Sequence, residues 1–461
     1  MYIQISNYIN LIYATLCVLG LFFIWVFIRT ILFRNRKTKK LKITATEKTM
    51  YHQKRLFELI EIDTPSFISG DGYSKFKQKI EEQFPLLHSI LQKEKVDGNA
   101  IYSYKSSKID SPSILFATHI DYNGEHLDAY KEDNLIYGNG TFDSKSLLYT
   151  IFEAIELTLK EKGKLDLNFT LVITNDDEAK KDGLTKIINL FLKRGAFFNL
   201  VIEEGSGIID SQVYGLRSTY ALIGLGVSGK LQLRFESSNL DKLNKFIFEI
   251  KKPNFFKMKI DNKSIKVLGS IAKDMRFMDR LFLNNLFIFR RKSKKIIEEK
   301  YDEIEKMLKT NVNVQNIENV DNKYCVEVAF ELSTHEKPAD ILIHLDDLME
   351  KYDIDYKITN ITEPSKITKT YNYGYNVVKK AISNVFKETY IAPVIVTKIS
   401  EKRYFDKVSD CVIRFSPLYY DFNAFNSAKN NQPYIDCSSL ELGIEFFKYV
   451  LNNYNNSKIK K

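Results

Sequence analysis

Three short apolar runs, each ending in acids or a histidine, constrain this chain more than any other feature. "SPSILFATHID" closes on His119 and Asp121, "LDLNFTLVITNDDE" on Asp176, Asp177 and Glu178, and "GAFFNLVIEEGSG" on Glu203 and Glu204. Between them lie "SKSLLYTIFEAIELTLKE" and "DGLTKIINLFLKRG", whose apolar residues recur at helical spacing. Strands alternating with helices predict a doubly wound α/β sheet covered on both faces. Ligands of such sheets bind at the carboxyl ends of the strands. All three polar clusters stand there, which is not where a buried core would tolerate them by chance.

The flanking sequence extends this plan. A chain of 461 residues can bury a large core and hold two or three domains. "KTMYHQKRLFELIEI" and "GYSKFKQKIEEQF" read as amphipathic helices ahead of the sheet. From about position 223 the pattern changes to strands such as "LIGLGVSGKLQLRFESS" and "NKYCVEVAFELST", with the helices "SKKIIEEKYDEIEKMLK" and "PADILIHLDDLMEKY". An α+β domain inserted over 223–360 is expected. "CVIRFSPLYY" then reads as a further sheet strand, so the α/β domain is expected over 51–222 and 361–461.

Residues 11–33, "LIYATLCVLGLFFIWVFIRTILF", carry one charge, Arg29, near enough to the end to snorkel. At ~1.5 Å per residue this run can span a ~30 Å hydrocarbon core. A cleaved signal would place its basic residues before a shorter apolar stretch. Here Arg34, Arg36, Lys37, Lys39, Lys40 and Lys42 follow it. An uncleaved single-pass anchor is expected, with a basic linker over 34–50. The positive-inside rule puts the folded domain in the cytoplasm, although a lone helix before a large domain can also insert the other way.

Those six charges supply most of the net +10. The remainder is an ordinary solvated surface, and no nucleic-acid partner is expected. Four cysteines, Cys17, Cys325, Cys411 and Cys437, are too widely spaced for a disulfide framework or a short-range metal pair, and the last three read as reduced core thiols.

The order of these pieces resembles peptidase family M20, the cocatalytic zinc metallopeptidases and aminoacylases, over about residues 50–455. The resemblance is closest to the carboxypeptidase S and N-acyl-amino-acid hydrolase branch. "THID" matches the family's His-x-Asp, "YGNGTFDSK" (137–145) its "yGrGxxDxK", "DDE" its Glu-Glu strand end, "EEGSG" its later "EGg", and Arg414–Pro417 its "RFSP". The resemblance implies a catalytic α/β domain with an inserted α+β lid or dimerisation domain, and a homodimer formed through that insertion. It also implies one or two divalent metals, zinc first, and a peptide or N-acyl amino acid substrate. By carry-over, His119 and Glu204 bind different metals of a pair bridged by Asp143, and Asp121 accepts the second N–H of the His119 ring. Taken alone, His119 also reads as a satisfied core histidine and Asp143 as a helix N-cap. Glu203 reads as a solvated or loop-bonding neighbour.

Four departures accompany the resemblance. Matching "DDE" to the family's pattern gives Asp177 as the general base and Glu178 as a ligand; an ungapped register gives Asp176 and Asp177. Either base is an aspartate, one methylene shorter than the family's glutamate, and a general base is worth roughly 10²- to 10⁴-fold. All six histidines lie at or before His344, so Asn426 stands where the family has its last ligand, an exchange better suited to Mn²⁺ or Mg²⁺. "FESSNLDK" lacks the family's inserted-domain histidine, and Glu331 falls near its carboxylate-binding arginine, with His335 as a loop neighbour. Arg403 in "SEKRYF" partly matches a substrate-binding motif. Two readings follow: a membrane-anchored metallohydrolase, or an inactive relative that keeps the fold as a binding or scaffold protein.

Overall fold

A computed structural model of the chain describes residues 2–35, 37–66, 71–142, 144–175, 182–210, 212, 216–260, 262–333, 335–396 and 401–455. The apolar runs become neighbouring strands. Asn168–Thr174, Ser113–His119, Leu200–Glu203 and Val412–Arg414 lie side by side and parallel in a ten-stranded sheet. Their carboxyl ends therefore share one edge, and antiparallel strands on both sides make the sheet mixed. The alternation of side chains along each strand feeds two layers. Ile114 and Phe116 face a core completed by the helices Ser144–Lys162, Tyr373–Val385 and Leu440–Asn453, whereas Leu115 and Ala117 face the helix Gly183–Lys193.

The strand Tyr220–Val227 belongs to this same sheet and pairs in parallel with Tyr390–Val396. All eight of its residues are buried, which only a sheet covered on both faces provides. The main sheet thus extends past position 223, where the insertion is expected to begin. A second, antiparallel four-stranded sheet follows, made of Lys230–Ser237, Asn311–Val320, Lys323–Glu331 and Asp355–Thr362. The helices Leu240–Ile250 and Pro338–Tyr352 back it.

Between its first two strands the chain makes four more helices, Asn262–Ala272, Phe277–Asn284, Leu286–Lys300 and Asp302–Leu308. These pack on Leu222 and Val394 of the main sheet rather than on the second sheet. They form a helical cap over that end of the molecule. The N-terminal helix Tyr2–Leu32 contains 24 residues, Ile9–Leu32, apolar enough to cross a membrane. Among its described side chains, those from Ile9 onward, most are exposed and Val26 and Thr30 are buried. Cys325, Cys411 and Cys437 are buried and free.

Candidate active site

The site begins where the strand Ser113–His119 stops. His119 is 2% exposed and Asp121 fully buried. The chain runs on past the strand, with Ile120 still bonded to Thr174 of the neighbouring strand, and the His119 ring reaches Asp121 two residues away. Nδ1 of His119 lies 2.8 Å from the Asp121 backbone oxygen and 3.2 Å from Oδ1 of its carboxylate. Both partners are acceptors, which places the ring proton on Nδ1 and leaves Nε2 with its lone pair. The Asp121 carboxylate is held in turn by the Ser66 hydroxyl, which donates to Oδ2 at 2.9 Å.

Nε2 of His119 faces Oε2 of Glu204 at 3.2 Å, and the Thr118 hydroxyl donates to the same oxygen at 3.3 Å. A lone-pair nitrogen and a carboxylate oxygen that face each other need a proton or a cation in common. Two donors on one tetrahedral zinc, each at ~2.0–2.1 Å, stand about 3.3 Å apart. This spacing suits one shared ion, whereas the resemblance implies a different metal for each residue.

Adjacent Glu203 is also corrected. It is fully buried rather than solvated, because successive strand residues point to opposite faces and Glu203 still belongs to the strand. Nε of Arg414, on the neighbouring parallel strand, lies 2.6 Å from Glu203 Oε1. The angle falls outside hydrogen-bond geometry, and Nη1 and Nη2 of Arg414 meet no hydrogen-bond acceptor among the described residues. Gly205 is required beside this pair, since a Cβ there would sit 2.6 Å from Arg414 Cβ. The sequence signal for the pair was an arginine inside the otherwise apolar "CVIRF".

A tight turn precedes the helix Ser144–Lys162. Gly140 has φ +86°, and a Cβ on it would meet the Lys145 side chain at 2.8 Å. Lys145 runs through the core to donate from Nζ to the Ile62 carbonyl at 2.5 Å, and burial pushes its ammonium down to about 7. The buried side chain of this lysine, part of the "DSK" stretch, packs against the Gly140 turn.

Asp143, Asp176, Asp177 and Glu178 lie outside the described residues, as does the side chain of Arg403. Asn426 is on the helix Phe422–Lys429; Phe425, Ala428 and Lys429 of that helix line the cavity described next, and Asn426 itself does not. Glu331 lies in the second sheet opposite Lys230, and burial raises its carboxyl above the usual range. His335 meets the Ser333 hydroxyl at 3.0 Å through Nδ1. Among the described residues, no three His, Cys, Asp or Glu side chains form a group able to hold a metal.

His119 and Asp121 open onto a cavity of about 580 Å³. Near them its wall is polar, with Tyr122, Asn123, Asn139 and Ser206. Beyond, it becomes apolar: Ile209, Leu222 and Val394 come from the main sheet, and Val267, Ile271, Ile304 and Met307 from the helical cap. A wall that is polar beside a histidine and apolar elsewhere fits a molecule with one polar and one hydrocarbon end.

The sequence model of "Peptidase family M20/M25/M40" matches residues 115–453. The chain is 22% identical over 433 residues to N-fatty-acyl-amino acid synthase/hydrolase PM20D1 of Bos taurus, covering 85% of this chain and 86% of that protein. It is 20% identical over 438 residues to probable carboxypeptidase S-like 2 of Dictyostelium discoideum, covering 87% and 84%. The fold is similar to the crystal structure of the M20 family metallo-carboxypeptidase Sso-CP2 from Sulfolobus solfataricus, with a TM-score of 0.62, 16% identity, and 88% and 99% of the two chains covered. Proteins of this family are typically dinuclear metal-binding peptidases. The matched segment runs from the His119 strand through the last helix and takes in the Glu203–Arg414 strand pair, and the chain belongs to peptidase family M20.

Proposed function

We propose that this chain is a membrane-anchored hydrolase that cleaves the amide bond of N-acyl amino acids bearing a long apolar acyl group. The observation that carries this reading is the cavity, polar at His119 and Asp121 and apolar from Ile209 to Met307. The acyl chain lies along Leu222, Ile271 and Met307, and the amide stands at the polar mouth. The name of the bovine relative, an N-fatty-acyl-amino acid synthase/hydrolase, agrees with that division.

His119 Nε2 and Glu204 Oε2 would hold one divalent metal, and Asp143, Glu178 and Asn426 would complete the ligand set. A metal there supplies a Lewis acid and lowers the pKa of water toward neutrality. The protein's own part is positional and protonic. Asp121 fixes the His119 tautomer through Nδ1, Ser66 fixes Asp121, and Asp177 takes the proton of the attacking water and returns it to the leaving amine. Arg403 pairs with the amino acid's carboxylate. Support for the anchor comes from the buried end of the N-terminal helix. Arg280 Nε donates to the Thr30 carbonyl at 3.1 Å and Asn285 Nδ2 to the Thr30 hydroxyl at 3.0 Å, contacts that a cleaved signal would not need.

The second reading, a family member that binds without cleaving, draws on the short acid at position 177 and on the lack of any histidine after His344. One experiment separates the two. Metal content is measured on the detergent-solubilised chain, and acyl amino acids from acetyl to palmitoyl are assayed with Zn²⁺, Mn²⁺ and Co²⁺. Bound metal and turnover of the long-chain members are expected, abolished in Asp177→Asn and kept in Asp176→Asn. A chain without metal or turnover under any of these ions is the binding protein instead.

A further inference from the structure

The helical cap carries a second apolar surface, on the side away from the cavity. Its sequence is "FMDRLFLNNLFIF" followed by Arg290, Arg291, Lys292, Lys294 and Lys295. Met278 is 54% and Phe287 60% exposed, beside the N-terminal helix. Phe287 touches that helix directly, with ring centroids 6.3 Å from Phe22 and 6.2 Å from Trp25. Phe277 stands 5.3 Å from Phe27.

These contacts fix the depth of the cap if the helix crosses a bilayer. The 24 apolar residues Ile9–Leu32 are about 36 Å long at ~1.5 Å per residue. Centred in a ~30 Å hydrocarbon core, they leave Leu32 about 3 Å outside it. Trp25 and Phe22 then lie roughly 7 and 12 Å inside the core. Phe287, packed on both, cannot be in water. This is the depth at which interfacial amphipathic helices settle, with apolar side chains about 5–10 Å into the headgroup–acyl boundary and Lys and Arg at its surface. Arg290 and Lys294 donate to the Ile260 and Met258 carbonyls, and Arg291 and Lys292 beside them supply charge complementary to anionic headgroups.

We infer that the cap face bearing Phe277, Met278 and Phe287 is embedded in one leaflet of an anionic bilayer, beside the N-terminal helix, and that the cap passes acyl substrates from that leaflet to the cavity. The cap is divided between the two sides: Val267 and Ile271 of Asn262–Ala272 and Ile304 and Met307 of Asp302–Leu308 line the cavity, while Phe277 and Met278 of Phe277–Asn284 and Phe287 of Leu286–Lys300 face the lipid. A substrate dissolved in the leaflet need not cross water to reach His119. This inference rests on the membrane-anchored, long-chain reading proposed above, and its test separates the failure of each.

The full chain is reconstituted into phosphatidylcholine–phosphatidylserine vesicles with a single nitroxide label. Labels go on Cys17 of the native chain, or, in a Cys17→Ser background, on Met278→Cys, Phe287→Cys or Ile109→Cys. Ile109 is 91% exposed and precedes the strand Ser113–His119, at the edge of the sheet opposite the site. The remaining cysteines are buried. Labels at 17, 278 and 287 should be protected from a water-soluble nickel chelate and accessible to oxygen, and the label at 109 the reverse. Protection at 17 with free nickel access at 278 and 287 overturns the embedded cap and leaves the anchor standing; nickel access at 17 overturns the anchor itself. In turnover, Phe287→Asp should slow a vesicle-borne palmitoyl substrate at least tenfold and leave a water-soluble acetyl substrate unchanged. An equal loss on both substrates overturns the entry route.

Discussion

Arg414 and Glu203 form a buried charge pair one residue from the proposed metal donor Glu204, and their energetics can be isolated. In Arg414→Met the Glu203 carboxylate, fully buried, loses a guanidinium that stood 2.6 Å away. Removing one partner of such a pair typically costs 3–5 kcal/mol, because the other charge stays in a low-dielectric site. Replacing both by apolar groups of similar volume is commonly neutral or stabilising by about 1–4 kcal/mol, since neither ion then has to be desolvated. Arg414→Met should therefore lower stability by about 3–5 kcal/mol, and Glu203→Met/Arg414→Met should return to within about 1 kcal/mol of the parent chain. The recovery from Arg414→Met to the double variant, about 2–4 kcal/mol, is read from urea unfolding followed by far-ultraviolet circular dichroism in detergent at pH 7.5. A double variant as unstable as Arg414→Met would refute the charge argument and point to packing around the Arg414 side chain. So would an Arg414→Met variant that costs less than about 1 kcal/mol.

Acid should destabilise the fold through His52, whose imidazole is 3% exposed and bonded to the Tyr149 hydroxyl at 2.8 Å. Burial lowers it to about 4. Above pH ~6.5 the ring is neutral folded and unfolded; between ~6.5 and about 4 only the unfolded chain takes the proton, so stability falls with pH, by about 2–3 kcal/mol at pH 4.5. His52→Gln, which can still bond Tyr149 but does not titrate, should remove that part of the difference between urea midpoints at pH 7.5 and 4.5; an unchanged difference excludes His52 as the source. Met307→Trp should shorten the cavity. At ~0.8 kcal/mol per buried methylene, losing two methylenes of contact lowers kcat/KM for a palmitoyl substrate about tenfold, with an acetyl substrate unaffected, as a chain-length series would show.

What could be read of the candidate site came from the ends of strands. "THID", "DDE" and "EEGSG" each follow an apolar run, and in a parallel sheet such ends must share an edge whatever the details of packing. The membrane-length helix was equally plain, since hydrophobic length alone defines it. Two neighbouring glutamates were not so easily told apart. Glu204 faces His119, but the role of Glu203 is set by Arg414, 211 residues further along the chain and brought alongside by the pairing of Val412–Arg414 with Leu200–Glu203.

The same holds for the segment 262–308. Its periodicity specifies helices, because that signal is local, while nothing local says which sheet they cover. Only the tertiary structure puts them on Leu222 and Val394, one side against the cavity and the other against the N-terminal helix. The sequence by itself determined which side chains could do chemistry and that one helix could cross a bilayer. The tertiary structure decided what surrounds them, the apolar cavity above all, because its walls are gathered from residues between His119 and Pro433 that meet only when the whole sheet has formed.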